Sequence, residues 1–572
     1  MNVTGWLQIG VFVAVLTALT PVLGRYLQRV FDGEAMFLAP VERVTYRLLG
    51  TDPDREQDWK GYARTVLIFS ALFLGALYLI LRTQGIHPFN PEDLTSPTWD
   101  LSFNTAVSFL TNTNWQFYAG ETTMTYFSQM AGLAVQNFVS AAVGMAVAAA
   151  VIRGFARREA GVIGNFWVDF TRTTLYVLLP LCILGALFLV AQGLIQNLDP
   201  YTGVTTLTGG EQTLAQGPVA SQAIIKHLGT NGGGFFNVNA AMPFENSTTL
   251  TNFVLMLAIL AIPAALTNTF GRMVGSQRQG WAIYTAMLVW FVAAVAIVYV
   301  AESDSTAAMQ AAGLSGGNME GKDVRFGIGS SSLFAAVTTV ASCGAVNAAM
   351  ESLTGLGGAV PLANMMTGEV IFGGVGSGLY GMLLFVLLAV FLAGLMVGRT
   401  PEYLGKKIGP REIKLVVIGT LFVPLIVLVL TALAIGTKWG APSIYNGGPQ
   451  GFAETLYAYT SQANNNGSAF AGYTGYLQPN GTNVGAYGIT FADVMGGLSM
   501  LFGRFVPMLA ALAVAGAMAG KRVAPPGPGT MRTDTGTFVA LLVGAVALVA
   551  LLTFVPALLL GPIAQGLTDQ LF

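Results

Sequence analysis

The sequence predicts an all-α polytopic membrane protein with ten transmembrane helices, in which four pseudo-repeats of span, re-entrant pore loop and span surround one pore. Three observations predict it. Of 572 residues, 53% are AVILMFWYC and only 10% are charged, with a mean hydropathy of +0.63. Soluble domains carry about 25% charged residues, which this chain lacks and a lipid-facing surface does not need. Basic residues gather in alternate loops, and each of the four long loops between them holds a short apolar stretch ending in a Gly/Asn/Thr/Ser turn.

Runs long enough to cross about 30 Å of hydrocarbon lie at 3–23, 65–81, 125–151, 173–191, 250–270, 281–301, 379–397, 415–435, 491–520 and 537–560. No Lys or Arg precedes the first run, and its basic flank (Arg25, Arg29) follows it, which is wrong for a signal peptide. The first, third, fifth, seventh and ninth loops hold 21 of the 27 basic residues. The positive-inside rule therefore expects both termini outside the cytoplasm. A net charge of −1 and a pI of 6.2 argue against nucleic-acid binding. Two cysteines, Cys182 and Cys343, and two histidines, His87 and His227, exclude a Cys-based zinc site and a His cluster.

The four long loops contain the short apolar stretches 102–110, 219–228, 331–339 and 452–460, each followed by a turn: Thr111 to Asn114, Gly229 to Gly232, Val340 to Gly344 and Ala463 to Gly467. A helix too short to span, followed by such a turn, reads as a re-entrant pore loop. Superposed on their last residues, Asn114, Gly232, Gly344 and Gly467 recur at intervals of 118, 112 and 123. The repeat divides the chain into a first helix with a cytoplasmic loop (1–62), pore repeats 63–168, 169–277, 278–411 and 412–534, and a last helix (535–572).

Such turns offer an ion oxygen atoms. Glycine permits a left-handed or alternating backbone that points successive carbonyls one way, and Asn, Thr and Ser satisfy the backbone or add side-chain oxygens. The candidate ligating residues are Asn112, Thr113 and Asn114; Thr230, Asn231 and Gly232; Ser342, Cys343 and Gly344; and Asn465, Asn466 and Gly467. No turn contains Asp or Glu, which divalent cations normally recruit. Neutral oxygens favour a monovalent cation, and the carbonyl ends of four short helices favour a cation over an anion. Cys343 is expected to contribute its carbonyl, because a soft thiolate suits zinc or copper better. His227 is read as structural.

Two charges stand in the wrong solvent. Arg504 falls midway along the ninth run, where an arginine costs roughly 2.5 to 3.5 kcal/mol unless it faces water or a partner. It is expected to face a cavity below the fourth turn and oppose cation leakage, the alternative being a structural pair with a carboxylate such as Asp493. Glu369 precedes the glycine run 373–378, which should break the helix into a gating loop. Glu369 is expected to attract the cation toward a lateral exit, the alternative being a helix cap. Gly374-Val-Gly-Ser-Gly378 lacks the strand-and-helix unit of a dinucleotide site, and no Ser-His-acid or metal-ligand spacing is visible.

Thr111-Asn-Thr-Asn-Trp-Gln116, Gly229-Thr-Asn-Gly-Gly-Gly-Phe-Phe-Asn-Val-Asn239, Met366-Thr-Gly-Glu-Val-Ile-Phe-Gly-Gly-Val-Gly-Ser-Gly-Leu-Tyr-Gly381, Gly398-Arg-Thr-Pro-Glu-Tyr-Leu-Gly-Lys-Lys407 and Asn464-Asn-Asn-Gly-Ser-Ala-Phe470 closely resemble the potassium-binding A subunits of Kdp potassium-transporting P-type ATPases, within the Trk/Ktr/HKT superfamily. The resemblance runs essentially end to end. It implies a bacterial inner-membrane protein that takes up potassium through one selectivity filter, with Gln116 at the filter mouth. It also implies no cofactor in this chain, with ATP and magnesium used by a partner. The implied partners are a P-type catalytic subunit, a single-span accessory subunit and a small one-helix subunit, besides membrane lipid. The sequence agrees that the motor lies elsewhere: it has no Asp-Lys-Thr-Gly motif, and Thr533-Asp-Thr-Gly536 lacks the lysine. A stand-alone potassium channel or symporter is the competing class, separated by whether transport needs the ATPase partner.

Overall fold

In hydrocarbon a chain must satisfy its own backbone, so long apolar runs become helices. The computed structural model describes residues 3–35, 37–396, 398–475, 490–525, 527 and 530–567. Among them ten helices are long and apolar enough to cross a membrane: Val3–Phe31, Trp59–Arg82, Ser128–Ala156, Phe166–Ala191, Thr249–Met273, Gln277–Ala311, Ser377–Met396, Pro410–Gly436, Phe491–Ala519 and Gly536–Gly566. All ten predicted runs are present. The predicted end of the seventh, residue 397, lies outside the described residues, as do the outer limits of the first and last predicted segments at 1 and 572.

Several helices outrun the apolar text. The first continues past residue 23 to Phe31 and carries Arg25 and Arg29 within it rather than in a loop, with Arg29 in its last turn. A cation there complements the carbonyl end of the helix dipole. The third ends at Ala156, where Lys406 Nζ donates to the carbonyls of Gly154 (3.1 Å) and Phe155 (2.7 Å). Those bonds satisfy carbonyls that a helix end leaves without partners.

Burial sorts the spans into two shells. In the third, fifth, seventh and ninth, at least 61% of the apolar window is buried, while in the second, fourth, sixth and eighth no more than 50% is. The second span of every repeat is thus an inner helix and the first an outer one. The first and tenth spans are 28% buried and belong to the outer shell.

Each outer-to-inner connection carries a short helix: Trp99–Leu110, Val219–Leu228, Gly327–Val340 and Gly448–Ala463. The third repeat departs from the pattern. Before its inner span comes a further helix, Gly355–Met366, and residues 367–376 between the two are irregular. This is the break expected from the glycine run, but the helix before it was not legible. The strands form two small hairpins, Thr202–Thr205 with Glu211–Leu214 and Glu402–Tyr403 with Lys406–Lys407.

Candidate functional site

The four turns have one backbone plan. In each, the N–H of the residue before the last donates to the carbonyl six residues before the last: Thr113 to Ser108, Asn231 to Lys226, Cys343 to Thr338 and Asn466 to Ser461, at 2.8–3.2 Å. Left-handed φ values then fall on alternate residues: Asn112 (68°) and Asn114 (53°), Thr230 (49°) and Gly232 (76°), Ser342 (53°) and Gly344 (83°), Asn465 (58°) and Gly467 (99°). Backbone of alternating hand turns successive carbonyls to one side. Five of these eight residues are not glycine, and at Thr230 and Ser342, which lack asparagine's tolerance of that region, such strain persists only where surroundings enforce it.

Those surroundings are the other turns. A Cβ on Gly232 would overlap the carbonyl oxygen of Cys343, one on Gly344 that of Asn466, and one on Gly467 that of Thr113. Each glycine therefore abuts the next turn, and the fourth returns to the first. Asn112 Nδ2 closes the remaining side by donating to the carbonyls of Gly229 (3.1 Å) and Thr230 (3.0 Å). The four turns form a closed ring, in keeping with the fourfold repeat in the sequence.

Most side chains in the ring brace it. Asn231 Nδ2 donates to Asn112 Oδ1 and to Ser140 Oγ (3.0 Å), and Asn114 Nδ2 donates to Asn137 Oδ1 (2.7 Å). Ser342 Oγ donates to the carbonyls of Asn464 (3.0 Å) and Asn465 (2.9 Å), and Asn465 Nδ2 to Thr113 Oγ1 (2.9 Å). Asn466 Nδ2 reaches the Thr338 carbonyl at 2.9 Å, and Val375 N–H donates to Thr230 Oγ1 at 2.8 Å. The Cys343 sulfur is turned toward the Lys226 carbonyl (3.9 Å). Among the described residues, the carbonyls of Thr113, Asn231, Cys343 and Asn466 accept no hydrogen bond. One unbonded carbonyl at the same register in every turn is what a ring that replaces a hydration shell requires.

The ring separates two spaces. A cavity of about 580 Å³ on one side is lined by Asn114, Gln116, Asn239 and Gly467. A cavity of about 70 Å³ on the other is lined by Asn465, Glu369 and Arg504. Gln116 lines the larger cavity beside Asn114 and Gly467, and its amide oxygen accepts from Gly234 N–H (2.8 Å) while its nitrogen donates to the Gly234 carbonyl (3.0 Å). The amide thus clamps the first turn to the second. His227 is buried, with Nδ1 against the Ala223 carbonyl at 2.6 Å, in keeping with a structural role.

The glycine run passes directly beneath the ring. Gly373 N–H donates to the Val340 carbonyl at 2.8 Å, and Gly374 lies against Ser342. Among the described residues, both carboxylate oxygens of Glu369 are buried without a hydrogen-bond partner, amid Ser342, Asn466 and Arg504. Arg504 is 6% exposed. The Asp493 pair is not formed, since eleven residues of one helix separate the two by about 16 Å, and no ion pair to Arg504 occurs among the described residues.

Sequence reasoning missed Glu454, on the fourth short helix. Its carboxyl is buried and accepts from Gln450 at 3.1 Å, and burial, with Glu351 adding to it, pushes its pKa up to about 7 from an ordinary 4.5. Between those values Glu454 is protonated in the folded chain and ionised in the unfolded one, so its contribution to stability is full below about pH 4.5 and is lost as pH rises through about 7. The melting temperature of the purified protein is expected to drop between pH 5.5 and 8. Glu454→Gln should flatten that drop, and an unchanged slope in the variant would refute the assignment.

Fold and ring together define a class: multi-pass helical membrane proteins in which four re-entrant segments of one chain meet around a single axis. Residues 10–567 match the sequence model of a family described as KdpA, potassium-transporting ATPase A subunit. The chain belongs to that family. It is 56% identical over 571 residues to the potassium-transporting ATPase potassium-binding subunit of Methylobacterium nodulans, covering 99% of this chain and 98% of that one. It is 55% identical to the protein of that name from Bradyrhizobium diazoefficiens, covering 99% of both. Among solved structures, the potassium transporter TrkH from Vibrio parahaemolyticus matches with a TM-score of 0.53 at 15% identity, over 87% of this chain and 96% of that one. That likeness concerns the fold alone.

Proposed function

We propose that this chain binds potassium in the ring of four turns and passes it to an ATP-hydrolysing P-type subunit, as the ion-selecting part of a high-affinity uptake pump. The observation that carries the reading is a carbonyl left unbonded at the same register in each of the four turns, on backbones of the same alternating hand. The ligating set is Asn112 to Asn114, Thr230 to Gly232, Ser342 to Gly344 and Asn465 to Gly467, with backbone oxygens leading. No carboxylate lies in these turns, which suits a monovalent ion. Each short helix ends at the ring and directs its carbonyl pole there.

Potassium enters from the larger cavity, which faces the cell exterior, since the basic loops lie on the opposite side and both termini are extracytoplasmic. The setting is the bacterial inner membrane. Inside the ring, Glu369 draws the ion sideways while Arg504 bars the straight route. ATP and magnesium are bound by the P-type partner, and a single-span and a one-helix subunit complete the complex. The cytoplasmic segment 24–60, with charges of both signs, is the proposed contact surface for these partners. The four pore repeats 63–168, 169–277, 278–411 and 412–534 are the units of the design.

Potassium-stimulated ATP hydrolysis by the assembled complex tests the reading, with substitutions in the ring as the decisive variants. Glu369→Gln has its own expected outcome. Removing a buried carboxylate that lacks a donor removes attraction for a passing cation, so the half-saturating potassium concentration should rise about tenfold with assembly intact. An unchanged potassium dependence would return Glu369 to a structural role.

A further inference from the structure

One ion pair is buried against the ring. Lys226, 1% exposed, sits in the last turn of the second short helix, and Glu245, 0% exposed, lies on the chain leaving the second turn. Lys226 Nζ donates to Glu245 Oε2 and, at 2.9 Å, to the carbonyl of Gly233, while Glu245 Oε1 accepts from Phe236 N–H at 2.8 Å. The pair therefore grips residues 233–236 just outside the ring. Lys226 also closes the turn from within, since its own carbonyl accepts from the N–H groups of Asn231 (2.9 Å) and Gly232 (3.0 Å).

The other turns show what is unusual here. Ser108, Thr338 and Ser461 occupy the position of Lys226, six residues before the last, and none is charged. In the first turn Ser108 Oγ donates to the Trp115 carbonyl at 2.9 Å, which is the same bond that Lys226 makes to Gly233. A neutral hydroxyl thus suffices for the bond. The second turn makes it with a full positive charge, close to oxygens that serve a cation, and Glu245 cancels that charge.

We propose that Lys226 and Glu245 are a positioning and charge-balancing pair that sets the ring's affinity for potassium. Lys226 holds the exit of the second turn, and Glu245 keeps its ammonium from repelling the ion. The proposal rests on the ring's being the potassium site.

The experiment is potassium-stimulated ATP hydrolysis by the assembled complex carrying Glu245→Gln, Lys226→Ser with Glu245→Gln, and Gly232→Asp. Glu245→Gln should raise the half-saturating potassium concentration at least tenfold, with the maximal rate within twofold of the unaltered complex. The double variant, in which the second turn is neutral like the first, should recover to within threefold. A double variant no better than the single one overturns the proposal, as does an unchanged half-saturation in Glu245→Gln, the result expected of a pair that only holds the fold together. If Glu245→Gln does not assemble, Glu245→Asp, with its carboxylate withdrawn by one methylene, is read the same way, and an unchanged value there is equally fatal. Gly232→Asp separates the two levels. If it leaves the potassium response intact, the ring reading itself fails; if it abolishes the response while Glu245→Gln does nothing, only the pair's role fails.

Discussion

Gly232→Asp abolishes potassium stimulation of the assembled pump: that is the expected result of disturbing the ring where it is tightest. Gly232 has φ +76°, a region that costs a residue with a Cβ about 1–2 kcal/mol. The larger effect is steric. Any Cβ there overlaps the carbonyl oxygen of Cys343, one of the four unbonded carbonyls, and the nearest atoms include the Gly344 backbone, so no flexible side chain absorbs the clash. The added carboxylate also brings a full negative charge to a ring of neutral oxygens, which favours divalent ions. Gly232→Ala isolates the steric part and should raise the half-saturating potassium concentration at least thirtyfold. A normal potassium response in either variant, with the partners assembled, would move the selecting site elsewhere.

Arg504→Gln should open a leak. The guanidinium stands in the small inner cavity with Glu369 and the Asn465 end of the fourth turn, against Gly144 of the third span. A fixed positive charge in poorly screened surroundings repels a cation by several kcal/mol at close range. Vesicles holding the complex should lose potassium without ATP at least ten times faster when Arg504 is glutamine, while ATP hydrolysis still responds to potassium. Tracer efflux measures this directly. Equal efflux from the two complexes would show that Arg504 is no barrier.

Much of this site is legible in the sequence, for a physical reason. A backbone that must alternate in hand and touch its neighbours admits few residue types, so Gly232, Gly344 and Gly467 mark the ring in plain text, and Asn114 stands where asparagine tolerates the same conformation. What the sequence does not display depends on contacts across the ring. The amide of Gln116 reads as a free mouth group until Gly234 is seen to occupy it from the second turn. The asparagines read as ligands, yet the nitrogens of Asn112, Asn231 and Asn465 are committed to neighbouring turns and spans. Lys226 reads as one more charge in an outer loop, because its partner lies nineteen residues away past the turn it supports. The helix Gly355–Met366 hides because three glycines, a proline and an asparagine interrupt its apolar pattern and its 12 residues reach only about 18 Å.

The ring's four walls come from four stretches of one chain. In an assembly of identical subunits, any mutation in the selecting loop is multiplied around the axis and usually ruins all sides together. Here a single codon alters one wall and leaves three as they were. Inheritance can therefore tune this ring in small, asymmetric steps. Asn114 in place of a glycine, and a paired lysine behind the second wall where the first has a serine, are differences of the kind such a gene can accumulate one at a time.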